Sequence, residues 1–199
     1  MDLDNIKNYK LYLSFINEKI NKFFEKEKPY ITCKMGCAKC CKNAQFPFSN
    51  TEIEYLMLGF VQLDNDKKNL IKQNIKKTLE LKRTSTQEPF LYTCPFLIND
   101  VCSVYEYRGI ICRTFGLITE KDGRSKVPFC CFEGLNYSII LDDEKKQFSE
   151  EKIKELDLPE PSSFNIRYEF LTSEEFEKSF KFVFGDKKSM IEWFENLEF

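Results

Sequence analysis

Histidine is absent from all 199 residues. No imidazole can serve as metal ligand, general base or proton shuttle, so any soft metal here is held mainly by thiolates. A charge surplus is missing too: 30 basic side chains face 32 acidic ones, for a net charge of −2. That balance gives no general attraction to nucleic acid or to an anionic membrane surface. Arginine is scarce, with five residues beside 25 lysines. No stretch approaches the roughly 18 apolar residues of a membrane span, and no basic segment followed by an apolar run opens the chain. A cytoplasmic setting with reduced thiols is the expectation. No Gly-x-Gly-x-x-Gly sequence marks a Rossmann methyltransferase, and no internal repeat is evident.

Cysteine is what the chain does have, nine residues of it. Four fall within nine positions, Cys33, Cys37, Cys40 and Cys41, and the others follow at Cys94, Cys102, Cys112, Cys130 and Cys131. The odd count and the adjacent pairs argue against a disulfide framework. A tight turn brings two sulfurs within reach of one ion, and a second knuckle completes tetrahedral coordination at about 2.3 Å for zinc. Thiolate-rich sites favour zinc, cuprous copper or iron–sulfur clusters. Neighbouring side chains point apart, so Cys40 and Cys41 either serve two sites, or one is a ligand and the other a buried or reactive thiol.

The remaining pattern predicts a mainly α-helical fold with short β hairpins, an α+β class, as a helical scaffold around a cysteine-rich middle. Twenty Phe and nine Tyr supply much of its burial. The first 28 residues read as one helix carrying Leu3, Ile6, Leu11, Phe15, Ile16 and Ile20, stopped by Pro29. Ser49-x-x-Glu52 reads as a capping box for a helix to about Phe60. A second helix is expected from Asp64 to about Arg83, with Leu70, Ile71, Ile75, Leu79 and Leu81 near its buried face. Asn99-Asp100 and Asp122-Gly123 signal turns between short extended pieces. A short helix is expected over Glu150 to Leu156. A helix opened by a Thr172-x-x-Glu175 box and broken by Gly185 follows, then a last one with Met190, Ile191, Trp193 and Phe194 in the core. Residues 1–148 form the cysteine-cluster domain, and residues 149–199 a helical extension in the same globule.

Cys33-x3-Cys37-x2-Cys40-Cys41, then Cys94-Pro-Phe-Leu, then Cys102-x2-Tyr105-x2-Arg108-x3-Cys112-Arg113-Thr-Phe115 resemble the YkgJ-type or CxxCxxCC cysteine-cluster family over about residues 30–132. The resemblance implies a zinc- or iron-chelating domain. It also implies, through relatives described as flagellin lysine methylases, an iron–sulfur enzyme using S-adenosylmethionine as the alternative. Three departures stand out. The first cysteine gap holds three residues rather than two, Gly109 replaces the usual proline after the arginine, and Cys131 follows Pro128-Phe129-Cys130 directly. Cys33-x3-Cys37-x2-Cys40 also has the spacing of radical S-adenosylmethionine enzymes, but nothing in the chain builds their barrel.

The leading expectation is a metal-binding protein holding zinc or an iron–sulfur cluster through Cys33, Cys37, Cys40, Cys41, Cys94, Cys102, Cys112, Cys130 and Cys131. Its role would lie in metal handling or as a redox or structural module. Its partner is the metal ion, with a protein substrate under the alternative, and neither nucleic acid nor membrane. A zinc-ribbon adaptor fits the irregular spacing less well. Arg108 and Arg113 either lie behind the ligand sulfurs and offset thiolate charge, or make structural salt bridges with Glu106 or Glu133. Tyr105 is expected in the core or beside the site. No catalytic residue can be singled out.

Overall fold

The computed structural model describes residues 2–34, 36–43, 45–142 and 144–195. As the periodicities imply, helices dominate and small antiparallel strand pairs sit between them, an α+β arrangement. Helix α1 spans Leu3–Lys26. Asp2 starts it, its carboxylate accepting from the amides of Asp4 at 2.9 Å and Asn5 at 3.3 Å, which satisfies two donors of the first turn. The buried stripe is Ile6, Tyr9, Leu13, Ile16 and Ile20, widened by Tyr12. That stripe alternates steps of three and four residues, one continuous helix face. Leu3, Leu11 and Phe15 fall off it and are exposed, contrary to expectation. Pro29 follows in a 3-10 turn, Lys28–Tyr30.

One helical turn, α2 (Lys39–Lys42), carries Cys40 and Cys41. Strand β1 (Pro47–Ser49) leads into α3 (Asn50–Val61) and then α4 (Asn65–Thr84). The capping box forms as expected: the Glu52 amide donates to the Ser49 hydroxyl at 3.2 Å, and the Ser49 amide to the Glu52 carboxylate at 2.8 Å. Helix α4 buries only Ile71, Ile75 and Thr78. Leu70 and Leu81 are exposed, again outside the expected face.

The middle of the chain is built from short pieces: β2 (Leu97–Ile98), β3 (Val101–Cys102), α5 (Ile111–Thr114), β4 (Thr119–Lys121) and β5 (Arg124–Lys126). Asn99 and Asp100 join β2 to β3 with φ of 51° and 61°, and Asp122 and Gly123 join β4 to β5 with 52° and 71°. Left-handed conformations at both central residues match the twist of a two-residue hairpin. Strands β6 (Leu141–Asp142) and β7 (Gln147–Phe148) pair next, followed by α6 (Glu150–Glu155), capped by Ser149.

The C-terminal part holds α7 (Tyr168–Leu171), α8 (Glu174–Phe180), β8 (Lys187–Ser189) and α9 (Met190–Trp193). Two expectations need correcting. Thr172 does not cap α8. Its hydroxyl donates back to the Tyr168 carbonyl at 2.8 Å, and Ser173 occupies the cap position. Nor does Gly185 end α8, which stops at Lys181 with φ 57°, while Gly185 lies in the link to β8. Strand β8 pairs antiparallel with β1, placing Lys188 opposite Phe48. The Trp193 indole donates to the Phe48 carbonyl at 2.8 Å.

Apolar side chains gather in three clusters. The first joins α1 to the C-terminal part, with Tyr12 5.2 Å from both Phe176 and Phe180 between ring centroids. The second packs α3 and α4 against Phe96 and Phe194. The third collects Tyr30, Ile118, Cys131, Tyr137 and Ile153. Cys94, Cys102 and Cys112 pack against the second cluster, and Cys131 lies in the third.

Candidate metal centre

Four chain segments deliver the thiols. The first places Cys33 and Cys37 in the loop after Tyr30, and Cys40 and Cys41 on α2. The sulfurs of Cys40 and Cys41 are 3.9 Å apart. The Cys94 amide donates to the Cys41 carbonyl at 2.7 Å, which fastens the second segment to the first. Lys42 pairs with Asp100 at 2.7 Å in the turn before Cys102. Lys39 pairs with Glu133 at 3.0 Å, next to the Cys130-Cys131 turn. The two lysines that bracket the cysteine pair thus tie it to two different neighbourhoods. None of the nine cysteines is joined in a disulfide.

Cys94 and Cys102 sit in knuckles. The amides of Phe96 and Leu97 are directed at the Cys94 sulfur, and the amide of Val104 at the Cys102 sulfur. Donors two and three residues beyond a thiol favour its charged form, the form a metal requires. Cys112 stands on α5, whose start is held by the Glu52 carboxylate. Glu52 is fully buried and accepts from the Ile110 amide at 2.8 Å and from the Tyr168 hydroxyl. Burial pushes its acid upward, opposed by those donors. Gly109 lies under this clasp: a Cβ there would fall 2.5 Å from the Phe48 ring and 3.0 Å from the Glu52 carboxylate.

Cys33 is placed by Asn136, a wholly buried amide side chain. Its oxygen accepts from the amides of Thr32 at 3.0 Å and Cys33 at 2.9 Å, while its nitrogen donates to the Gly116 carbonyl at 2.9 Å. Cys130 comes from the 3-10 turn Phe129–Glu133, where the Leu135 amide donates to its carbonyl at 3.0 Å.

The thiols act on one another. A hydrogen bond from Cys41 lowers Cys40 to about 7, and the same bond raises Cys41. Burial raises Cys94 and Cys130 to about 12 each, with Cys40 adding to both. Cys33, though exposed as a residue, is raised to about 11 by desolvation of its sulfur and then by Cys37 and Cys40. Burial lifts Cys112 well up, reinforced by Cys94, Cys102 and Cys40. Cys102 is raised by burial and drawn back by its knuckle amide and by Arg108 and Arg113. Cys40 acts most widely, its charge raising Cys33 and Cys130 as well as Cys41, Cys94, Cys102 and Cys112. Cys131 instead packs in the third apolar cluster, 1% exposed.

Arg113 is buried and bonded through each of its three nitrogens, donating to the Asn17 side chain at 2.9 Å and to the carbonyls of Arg108 at 3.0 Å and Glu106 at 2.8 Å. Arg108 lies 3.6 Å from the Tyr105 ring centroid and donates to the Tyr105 carbonyl. Neither makes the expected salt bridge with Glu106 or Glu133 among the described residues; Glu133 takes Lys39. Tyr105 is exposed rather than in the core. Asn136 carried no signal in the sequence, because a single polar side chain bonding backbone on two distant segments leaves no local pattern.

The donor chemistry, nine unbridged cysteines and no histidine, fits a soft metal. Among the described residues, no three Cys, Asp or Glu side chains stand close enough to hold an ion as they are. The chain belongs to the CxxCxxCC family, whose model is described as "Putative zinc- or iron-chelating domain" and matches residues 32–131. No curated protein and no solved structure matches the chain. No described helix is long and apolar enough to cross a membrane.

Proposed function

We propose that this protein chelates zinc or iron in a reducing, cytoplasmic setting through two four-sulfur groups hinged at Cys40-Cys41. One is Cys33, Cys37, Cys40 and Cys130. The other is Cys41, Cys94, Cys102 and Cys112. The observation that carries chelation is the Cys40-Cys41 pair, whose sulfurs lie 3.9 Å apart on a turn fastened to Cys94 by the bond from the Cys94 amide to the Cys41 carbonyl. Arg108 and Arg113 act behind the second group, where their charge favours the Cys102 thiolate. A four-thiolate zinc site has a net charge of −2, which nearby guanidinium groups offset. Cys131 serves packing. Residues 149–195 belong to the same globule as the cysteine-bearing part, a reading supported by the packing of α8 and the 182–184 segment on α1. The lysine-methylation alternative finds no support in the family description, which names chelation alone.

Metal and acid-labile sulfide analysis with visible absorbance, after anaerobic purification, tests the reading. Two equivalents of zinc, or of iron without sulfide, are expected per chain. Cys37→Ser and Cys112→Ser should each remove about one. One equivalent in the parent protein, lost entirely in either variant, would replace two sites by one shared centre. Stoichiometric sulfide with charge-transfer bands would replace them by a cluster.

A further inference from the structure

A cleft of about 570 Å³ opens beside the cysteine centre, within the size range of sites for small organic ligands. Its walls are apolar, with Phe115 and Leu117 on one side and Val127 and Phe129 on the other. The lining includes Ile111 and Phe129, chain neighbours of Cys112 and Cys130, but no cysteine among the described residues. Its charged lining is Lys121, Lys126 and Arg167 against a single acid, Glu169. The lysines face each other's strand on the exposed β4–β5 hairpin. Arg167 is the informative residue. Its Nε is buried without a hydrogen-bond partner, and Arg167 takes part in none of the ion pairs among the described residues. A buried guanidinium donor left unbonded costs free energy, and guanidinium matches carboxylate and phosphate geometry. The structure offers apolar walls and a cationic end in one cleft.

We propose that this cleft binds a small amphiphilic anion, with its carboxylate or phosphate on Arg167 and its apolar body between Phe115, Leu117, Val127 and Phe129. The site is separate from metal chelation and does not depend on which metal the cysteines hold. Lys121 and Lys126 at the hairpin draw the anion in, and Arg167 fixes its head group. A neutral molecule of equal length would leave the guanidinium unbonded and bind more weakly.

Titration of the purified, metal-loaded full-length chain with anilinonaphthalene sulfonate, followed by fluorescence, reads the cleft directly. One probe molecule per chain is expected, displaced by decanoate, with decan-1-ol about tenfold weaker or worse, which corresponds to about 1.4 kcal/mol. Arg167→Met should weaken decanoate by at least about tenfold while leaving metal content unchanged. Lys121→Glu with Lys126→Glu alters only exposed side chains and should weaken both anions. If Arg167→Met does not fold, the double lysine variant decides alone. Absence of saturable probe binding, equal competition by decan-1-ol, or unchanged affinity in the folded variants would overturn the proposal.

Discussion

The aromatic scaffold and the cysteine-bearing middle are built on opposite principles. Helix α1 and the C-terminal part meet through Tyr9, Tyr12, Phe182 and Phe184, large rings buried against one another. That region orders itself by removing apolar surface from water. Residues 94–131 hold two-residue and three-residue strands, single helical turns and thiols that repel one another when charged. Their neighbours are fastened by individual polar clasps, Glu52, Asn136 and Arg113. The first region is held mainly by apolar contact, whereas the second gathers thiols whose charged, ligand form is favoured only with a cation beside it.

Metal removal should break the comparison most widely. Structural zinc contributes about 10–16 kcal/mol of apparent binding energy at neutral pH, against about 5–15 kcal/mol for the net stability of a whole domain. Chelation should lower the melting temperature steeply and abolish protection in the middle, while amide exchange stays slow in α1. Equal melting curves before and after verified metal removal would show that the site is not structural. The pH dependence has a definite sign. Thiols held at about 11 in Cys33 and about 12 in Cys94 and Cys130 are protonated at neutral pH without metal. Each must release its proton to become a ligand, so apparent affinity should rise with pH, by about tenfold per unit for each proton released. A competition titration between pH 6 and pH 8 that showed no slope would contradict this set of ligands.

The reverse perturbation is Tyr12→Ala. Removing a fully buried ring from the aromatic cluster should cost about 3–5 kcal/mol, measured by urea denaturation, with metal content unchanged in the fraction that remains folded. Loss of metal together with stability would mean that the two regions are one cooperative unit. A smaller effect is expected at the joint between them. Asn136→Ala strands the amides of Thr32 and Cys33 and the carbonyl of Gly116, at about 1–3 kcal/mol for an unsatisfied buried group. It should also weaken metal retention, because Cys33 loses its anchor, and a chelator-competition assay reads that separately from the melt.

Local signals were legible wherever the cause was local. Ser49 and Glu52 announced their capping box, and Asn99-Asp100 and Asp122-Gly123 announced their hairpins, because each feature is decided by residues within four positions. The stripe on α1 was half legible: its isoleucines stand out by spacing, while Tyr9 and Tyr12, both fully buried, belong to a residue type that suits core and surface alike. The β1–β8 pairing joins Phe48 to Lys188 across most of the chain and depends on global packing alone. The cysteine motif marked the candidate donors by type and spacing. It said nothing of the clasps that aim them, since Glu52 acts on Ile110 and Asn136 on Cys33 through contacts far apart in sequence.

The finest version of the comparison lies within one dipeptide. Cys130 and Cys131 are adjacent and both buried, so composition and exposure do not separate them. Their surroundings do. Cys130 feels the charges of Cys33 and Cys40, whereas Cys131 lies among Tyr30, Ile118, Tyr137 and Ile140. On the proposed assignment, Cys130 is the ligand and Cys131 a packing residue, although Cys131 also acts on Cys130. Cys131→Ala should therefore behave as a core truncation, losing about 1 kcal/mol, the scale of one buried methylene-sized group, with metal stoichiometry intact. Cys130→Ala should lower the metal content by about one equivalent if its group holds its own ion. Paired metal analysis and melting of the two variants gives the answer: a metal-depleted Cys131→Ala beside a fully loaded Cys130→Ala would exchange the two roles and move the centre towards the third apolar cluster.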